Sequence, residues 1–350
     1  MRKSQVHQLS TLSAAVASAL VSIPVMAQEG ALEEVLVTAT RRSESIQDIP
    51  FNITALGGQA IERERISSLS DLARRVPGMT VVDKGARGGS RMTVRGLNVD
   101  SMAAAEALGN SSGDTVGTYL GEVPVYWDLK PVDLNRIEVL MGPQGTLYGA
   151  GTLGGAVRYI PNKPQADNMS FELRGNAYDL SESSGVGYDL GGTINIPIVE
   201  DRFAIRGSID YYDDPGFIDY NYLVREPGVS LPQPDPEDRN ANLKKEEDAN
   251  TEETLAARLA ARYTGEMLDA TLTYYYQNQD VGARQINHKD AFGTDDYESA
   301  HRYLEPNERE NQMLALELVA DLGFAELTSA TAYSEIEEKG QRDQSDLLLD

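Results

Sequence analysis

Phe171-Glu172-Leu173-Arg174-Gly175-Asn176-Ala177 and Phe203-Ala204-Ile205-Arg206-Gly207-Ser208-Ile209-Asp210-Tyr211 set an apolar or small residue at every second position. A backbone that throws side chains to alternate faces carries this pattern when one face is greasy and the other wet. The same period returns at residues 186–198, 255–263, 268–276, 314–320 and, less cleanly, 327–333, so seven strands are expected between residues 169 and 337. Read alone, the alanine-rich residues 255–263 fit a helix as well as a strand. Segments of roughly ten residues with this alternation suit a transmembrane β-barrel, because lipid offers no hydrogen-bond partner and the wall must pair every backbone N–H and C=O itself.

The connections give such a wall a direction. Glu200-Asp201, Thr264-Gly265-Glu266 and Asp321-Leu322-Gly323 are tight turns, whereas residues 213–253 and 278–309 are long connections. Outer-membrane barrels carry short periplasmic turns and long external loops, which sends the first, third, fifth and seventh strands outward. Tyr178, Tyr211, Tyr212, Tyr274, Tyr275, Tyr276 and Tyr333 then fall at the outer ends, where the ring favours the headgroup layer and the hydroxyl stays wet. Ordinary β-propensity in a soluble sandwich would give the same alternation, but the placement of the loops weighs against it. An odd number of strands leaves two unpaired edges, which lipid does not tolerate. These are therefore expected to be about 7 strands of a 22-stranded barrel, the size that holds a plugged lumen.

Composition removes other classes. With 41% hydrophobic and 25% charged residues the 350-residue chain is no disordered polymer, and beyond its N-terminus it lacks the uncharged apolar run of a helical membrane bundle. Its 55 acidic against 31 basic residues, a net of -24, exclude the basic footprint of a nucleic-acid binder. The absence of cysteine removes disulfides, thiolate zinc sites and thiol catalysis together. Arg2 and Lys3, an apolar stretch from Leu9 to Val25, and Val25-Met26-Ala27 before Gln28 read as a secretory signal peptide over residues 1–27.

Residues 30–164 follow a different rule, with short elements and many glycines. Helices are expected over residues 59–65 and 67–75, the second closed by Val76-Pro77-Gly78. Strands are expected over 79–82, 92–97, 116–126 and 136–141, which makes a small α+β domain. Gly149-Ala150-Gly151-Thr152-Leu153-Gly154 matches the dinucleotide fingerprint G-x-G-x-x-G. That motif must open a helix, and residues 156–160 continue as a strand toward Pro161, so the glycines read as structural.

Arg136-Ile137-Glu138-Val139-Leu140-Met141-Gly142-Pro143-Gln144-Gly145-Thr146-Leu147-Tyr148-Gly149, followed by Gly154-Gly155-Ala156-Val157 and Ile160-Pro161-Asn162-Lys163-Pro164, resembles the plug signature of TonB-dependent outer-membrane receptors. Asp71-Leu72-Ala73-Arg74-Arg75-Val76-Pro77-Gly78-Met79 and Thr93-Val94-Arg95-Gly96-Leu97 resemble further parts of the same plug, and Val35-Leu36-Val37-Thr38-Ala39 resembles the TonB box. The resemblance implies a periplasmic segment with the box over residues 28–44, a plug domain over 45–165 and the first barrel strands over 166–350. It implies a protein of the Gram-negative outer membrane, whose partners are membrane lipid, the imported solute and the TonB protein, which draws on the inner-membrane proton gradient. No cofactor and no catalytic residue are expected, since transport needs no covalent chemistry. The extended, partly β-branched box suits addition as a strand to a partner's sheet edge.

One position departs from the family pattern. Arginine usually precedes the Gly-Pro of the signature and joins the arginine of Arg95-Gly96 in salt bridges to the barrel, but Met141 stands there. A weaker, Arg95-centred latch is expected, since methionine lacks the forked donors of a guanidinium; alternatively Met141 only fills a gap in the plug core. Residues 98–115, with Asn98 and Asn110, read as a plug loop facing the outside, and Tyr126 and Trp127 are candidates for stacking on a ligand, although packing is the commoner fate of such rings. The acidic residues 234–253 read as a solvated loop, and His288 and His301 make no strong haem site. The expected function is TonB-dependent import of a scarce large solute, by family default a ferric siderophore. Carbohydrate or cobalamin cargo stays open, as does a passive pore or adhesin without energy coupling.

Overall fold

A computed structural model describes residues 36–39, 44–49, 51–66, 68–88, 90–97, 115–149, 151–229 and 242–345. The leader, Val35, Asn98 and Asn110 lie outside the described residues.

Seven antiparallel strands form one sheet in the order β10 (Ser170–Asp179), β11 (Val186–Val199), β12 (Phe203–Asp214), β15 (Glu252–Thr264), β16 (Leu268–Val281), β18 (Asn307–Asp321) and β19 (Glu326–Gly340). These are the seven alternating segments, each longer than the apolar count suggested, because ladders continue into the polar residues at both ends. Residues 255–263 are strand, paired over their whole length with β12 and β16. A ladder on both sides overrides the helical preference of alanine.

The two faces of this sheet are inverted relative to a soluble protein. On one face Leu190, Ile209, Leu259, Leu272 and Leu314 are exposed. On the other, Asn195, Thr254, Arg258, Thr271, Gln277, Arg309 and Asn311 are buried. An apolar outer face and a polar inner one belong in lipid. Tyr188 and Tyr211 lie 6.0 Å apart toward the outer end of the apolar face, with Tyr274 and Tyr333 exposed on the same side. Tyr178, Tyr212 and Tyr275 depart from the expected girdle. Tyr178 and Tyr212 stack on each other and line an interior cavity, and Tyr275 packs against the plug core. A run of adjacent tyrosines cannot share one face of a strand.

The plug is built on a five-stranded mixed sheet, β3 (Ile53–Gly57), β8 (Leu134–Met141), β9 (Gly155–Pro161), β6 (Val116–Leu120) and β7 (Val123–Val125), in that order. Residues 116–126 are thus a hairpin turned at Gly121-Glu122, not one strand. A second pair, β4 (Met79–Asp83) and β5 (Ser90–Val94), packs on the short helix Leu69–Ala73, whose Ser68 hydroxyl accepts the Asp71 N–H at 3.1 Å as an N-cap. The helix Gly58–Arg63 starts one residue before its expected span and the helix Leu69–Ala73 two residues inside its own, and both end two residues early. Gly149 to Gly154 run into β9, so no helix N-terminus follows the glycine motif. At Gly155, φ is +155° and an added Cβ would collide with the Leu140 carbonyl, which is why two β-strands can close there only on glycine.

The described parts of the long connections carry structure of their own. Within them β13 (Asp219–Val224), β14 (Leu243–Glu246) and β17 (Glu298–Ser299) form a three-stranded cap sheet over a small core of Ile218, Tyr220, Leu223, Ala249 and Ala283.

Leu259→Arg, near the middle of β15, is expected to cost about 2–4 kcal/mol of folding free energy in lipid vesicles. Urea titration of the vesicle-inserted protein checks it; an unchanged midpoint would remove lipid from that face.

Candidate functional site

The sheet of the plug divides its two faces by alternation. Ile137, Val139 and Met141 of β8 point into the main plug core with Leu72, Val76, Val94, Val116 and Trp127, while Leu140 turns to a second cluster on the opposite face. That second cluster is where the described residues of the expected box, Leu36 to Ala39, lie. Leu36–Val37 (β1) pairs antiparallel with Glu44–Ser45 (β2), and Val37 and Ala39 are wholly buried against Ile49, Tyr119, Leu140, Tyr148 and Ala156.

Polar groups complete the dock. The Thr38 N–H donates to Glu138 Oε1 at 2.9 Å, and the Thr38 hydroxyl accepts from Arg136 at 3.0 Å and Arg158 at 3.1 Å. The Tyr148 hydroxyl donates to the Ala39 carbonyl at 2.8 Å. Beneath Thr38, Glu138 and Arg158 are both fully buried and pair at 2.6 Å; Arg136 adds a 2.7 Å bond to Glu138, and Glu122 a 2.5 Å bond to Arg158. Glu138 and Tyr148 of the expected signature thus meet Thr38 and Ala39 directly. Arg136, Arg158, Glu122 and Tyr119 were not singled out from sequence. The signal for Arg158 is present, since an arginine on the inward side of a strand facing Glu138 in the antiparallel register needs a charge partner.

The remaining signature residues shape the chain. Gly142, Gly149 and Gly96 have positive φ, whereas Gly145 starts a short helix and Pro143 precedes it. Arg95 also has positive φ, and its guanidinium has no ion-pair partner among the described residues. Met141 is buried in the main core, so it acts as filling. The ion pairs between plug and wall fall elsewhere. Asp133, just before β8, receives Arg206 through two bonds of 2.7 and 2.5 Å and Arg258 through one of 3.0 Å, all three side chains being largely buried. Asn162 donates to the same carboxylate at 2.9 Å. Lys163 meets Glu317 at 3.4 Å. At the outer end Arg87 donates to the carbonyls of Glu305 and Pro306 at 2.5 and 2.7 Å, which ties the plug to the cap.

Two cavities lie between plug and wall toward the outer side, of about 280 and 630 Å³, and Lys130, Tyr212 and Asp214 line both. Of the expected ligand contacts, Tyr126 is exposed, whereas Trp127 is buried in the main core and is not ligand-facing. In the cap, His288 and His301 are buried with their rings 4.7 Å apart, and His301 and Arg284 both hold Glu305. Among the described residues no group of His, Cys, Asp and Glu is placed to hold a metal ion. Burial alone would raise the Glu305 carboxyl, but bonds from His301 and Arg284 and their charges hold it down to about 2.

A family model for the TonB-dependent receptor plug domain matches residues 45–156. The chain is 30% identical over 130 residues to a hemin receptor of Yersinia pestis, covering 36% of this chain and 18% of that protein. It is 29% identical over 187 residues to the vitamin B12 transporter BtuB of Vibrio vulnificus, covering 51% and 29% respectively. The crystal structure of the ferric yersiniabactin uptake receptor FyuA from Yersinia pestis superposes with a TM-score of 0.62 at 14% identity, over 84% of this chain and 42% of that one. Each match therefore spans less than half the length of the relative.

Asp133→Asn leaves two buried guanidiniums facing an amide and is expected to cost about 3–5 kcal/mol, read as a lower urea midpoint for the plug. The depressed Glu305 carboxyl stabilises the cap fully above its ordinary value of 4.5, and that stability drains as pH falls toward about 2. Hydrogen exchange of the cap amides from pH 6 downward checks the direction; protection that rises on acidification would contradict it.

Proposed function

We propose that this chain, which belongs to the TonB-dependent outer-membrane receptor family, serves active import of a scarce, large solute, by preference a ferric siderophore complex. The observation that supports it most is the dock of the box. Leu36 to Ala39 lie against one face of the plug sheet, held by a strand pair, two buried side chains and four hydrogen bonds. A segment held this way is retained reversibly. Its strand edge is already taken by Glu44–Ser45, so a partner that adds β1 to its own sheet does so after β1 leaves β2.

Transport on this reading follows an order set by the contacts. The cap and outer cavities receive the solute, and contact with the plug apex biases the plug between arrangements. The TonB protein takes the released box and pulls. Force applied at Thr38 falls first on Glu138 and Arg158, a pair whose burial makes it costly to separate and firm while intact. Yielding of the plug then opens a path along the wall.

The names of the relatives span hemin, vitamin B12 and a ferric siderophore. The siderophore is preferred as the cargo of the solved structure that covers 84% of this chain. Deleting residues 35–39 in the complete gene is expected to abolish uptake and leave solute binding intact; uptake that survives would make the protein a passive pore or adhesin. Growth of a deletion strain is expected to fail under iron limitation and to be normal with a glycan as sole carbon source, and the reverse result would move the cargo to carbohydrate.

A further inference from the structure

Lys130 occupies an unusual position. It belongs to the plug, at the start of the short connection into β8, yet its ammonium lies 3.2 Å from the centroid of the Tyr212 ring on the barrel wall. Among the described residues it makes no hydrogen bond or ion pair through that ammonium. Its backbone is fixed, with the N–H donating to Gln277 Oε1 at 3.0 Å. Burial lowers its pKa, while Glu252, Asp189, Asp214 and Asp210 pull it back up; each of these carboxylates lines one or both of the cavities beside it. Tyr212 is itself held, stacked on Tyr178 with both hydroxyls on Asp214 at 3.1 and 2.7 Å. Asp210 is engaged by Arg174.

A cation over a fixed aromatic face, ringed by carboxylates, is the arrangement used to recognise ammonium groups. Across the linings of the two cavities eight carboxylates stand against three cations, Lys130, Arg65 and Arg174. An anionic group would meet that surplus of negative charge with no compensating donor, and a neutral one would gain nothing from it. The cage also opens on both sides into the cavities of about 280 and 630 Å³, so the space exceeds what one lysine fills.

We infer that the Tyr178–Tyr212 cage is a binding site for the ammonium group of an organic cation, with Lys130 as a tethered ligand that this group displaces. The inference rests on the import reading above and narrows its cargo to solutes carrying at least one amine. A tethered competitor lowers apparent affinity by the fraction of molecules in which the cage is vacant, so removing the Lys130 charge exposes the site.

Calorimetric titration of spermidine into the detergent-solubilised full-length protein tests this. Lys130→Met is expected to bind roughly tenfold tighter than the unaltered protein. In that background Asp189→Asn is expected to weaken binding about fivefold and Tyr212→Leu to erase the gain, while Tyr212→Phe stays within about threefold. Succinate is expected not to bind. The inference is overturned if Lys130→Met leaves spermidine affinity unchanged or lower, if no form binds it, if the cage substitutions have no effect, as for loose attraction to an acidic protein, or if succinate binds better. A receptor for an anionic cargo would fail here and still lose uptake on deletion of its box, so the two failures are distinguishable.

Discussion

A strand that crosses lipid must pair every backbone polar group with a neighbouring strand, and the rest of this structure depends on that requirement. Once the ladders run unbroken from β10 to β19, side chains are free only to choose a face, and the apolar ones go outward. The inner face is then left with Thr254, Arg258, Thr271, Thr273, Gln277 and Asn311, groups that need partners. The plug supplies them for Arg258 and Gln277, whereas Thr254 bonds to Glu252 of the wall itself and the Thr271 hydroxyl and Asn311 amide have no hydrogen-bond partner among the described residues. Asp133, Asn162 and the Asp128 carbonyl each take a bond from that wall, from Arg258 or Gln277. The contact is mixed, since Met313, Ala315 and Tyr275 of the wall also pack into the main plug core, so a moving plug gives up apolar as well as polar contacts.

Within the plug, the same period of two does different work. Ile137, Val139 and Met141 knit the sheet to the helices and to Trp127, whereas Glu138 and Leu140, one residue out of phase, build the bed for Val37 to Ala39. The bed is charged at its centre. Replacing a buried ion pair by apolar residues of similar volume is often neutral or stabilising, so stability alone does not account for Glu138 and Arg158. Their geometry gives Thr38 two donors and one acceptor at a single register, and a box shifted by one residue would present Val37 or Ala39 to them instead.

What was legible in the chain were the features that repeat or are local. Seven alternating segments, three tight turns and the glycine-laced plug motif each declare themselves within a few residues. What was not legible depends on pairing across long separations. Asp133 meets Arg206 and Arg258 across 73 and 125 residues, and nothing in its neighbourhood marks it as the carboxylate that holds the plug. Adjacent tyrosines at 211 and 212 looked alike in sequence, yet the pleat sends one toward lipid and the other into the cage. Tyr126 and Trp127 are equal candidates for stacking in sequence, and the same alternation exposes the first and buries the second, the commoner fate of such rings. The cap sheet was hidden because its strands are short and come from two connections that are far apart in the chain.

The three polar sites of the plug lie on one stretch of backbone. Lys130 is in the outer cage, Asp133 in the clamp to the wall, and Arg136 and Glu138 under the box. From Leu134 onward this stretch is β8, a strand paired on both sides by β3 and β9, and so the stiffest element available to it. A displacement of Lys130 is therefore not absorbed in a flexible loop, since Pro131 restricts the connection and Asp133 is held by three bonds to guanidinium groups. It either stops at the clamp or shifts the clamp and β8 together. Asp133 thus stands as the fixed point between the outer cavities and the segment from Leu36 to Ala39, and its positive φ, one that aspartate tolerates better than most residues, marks where the chain turns from one to the other.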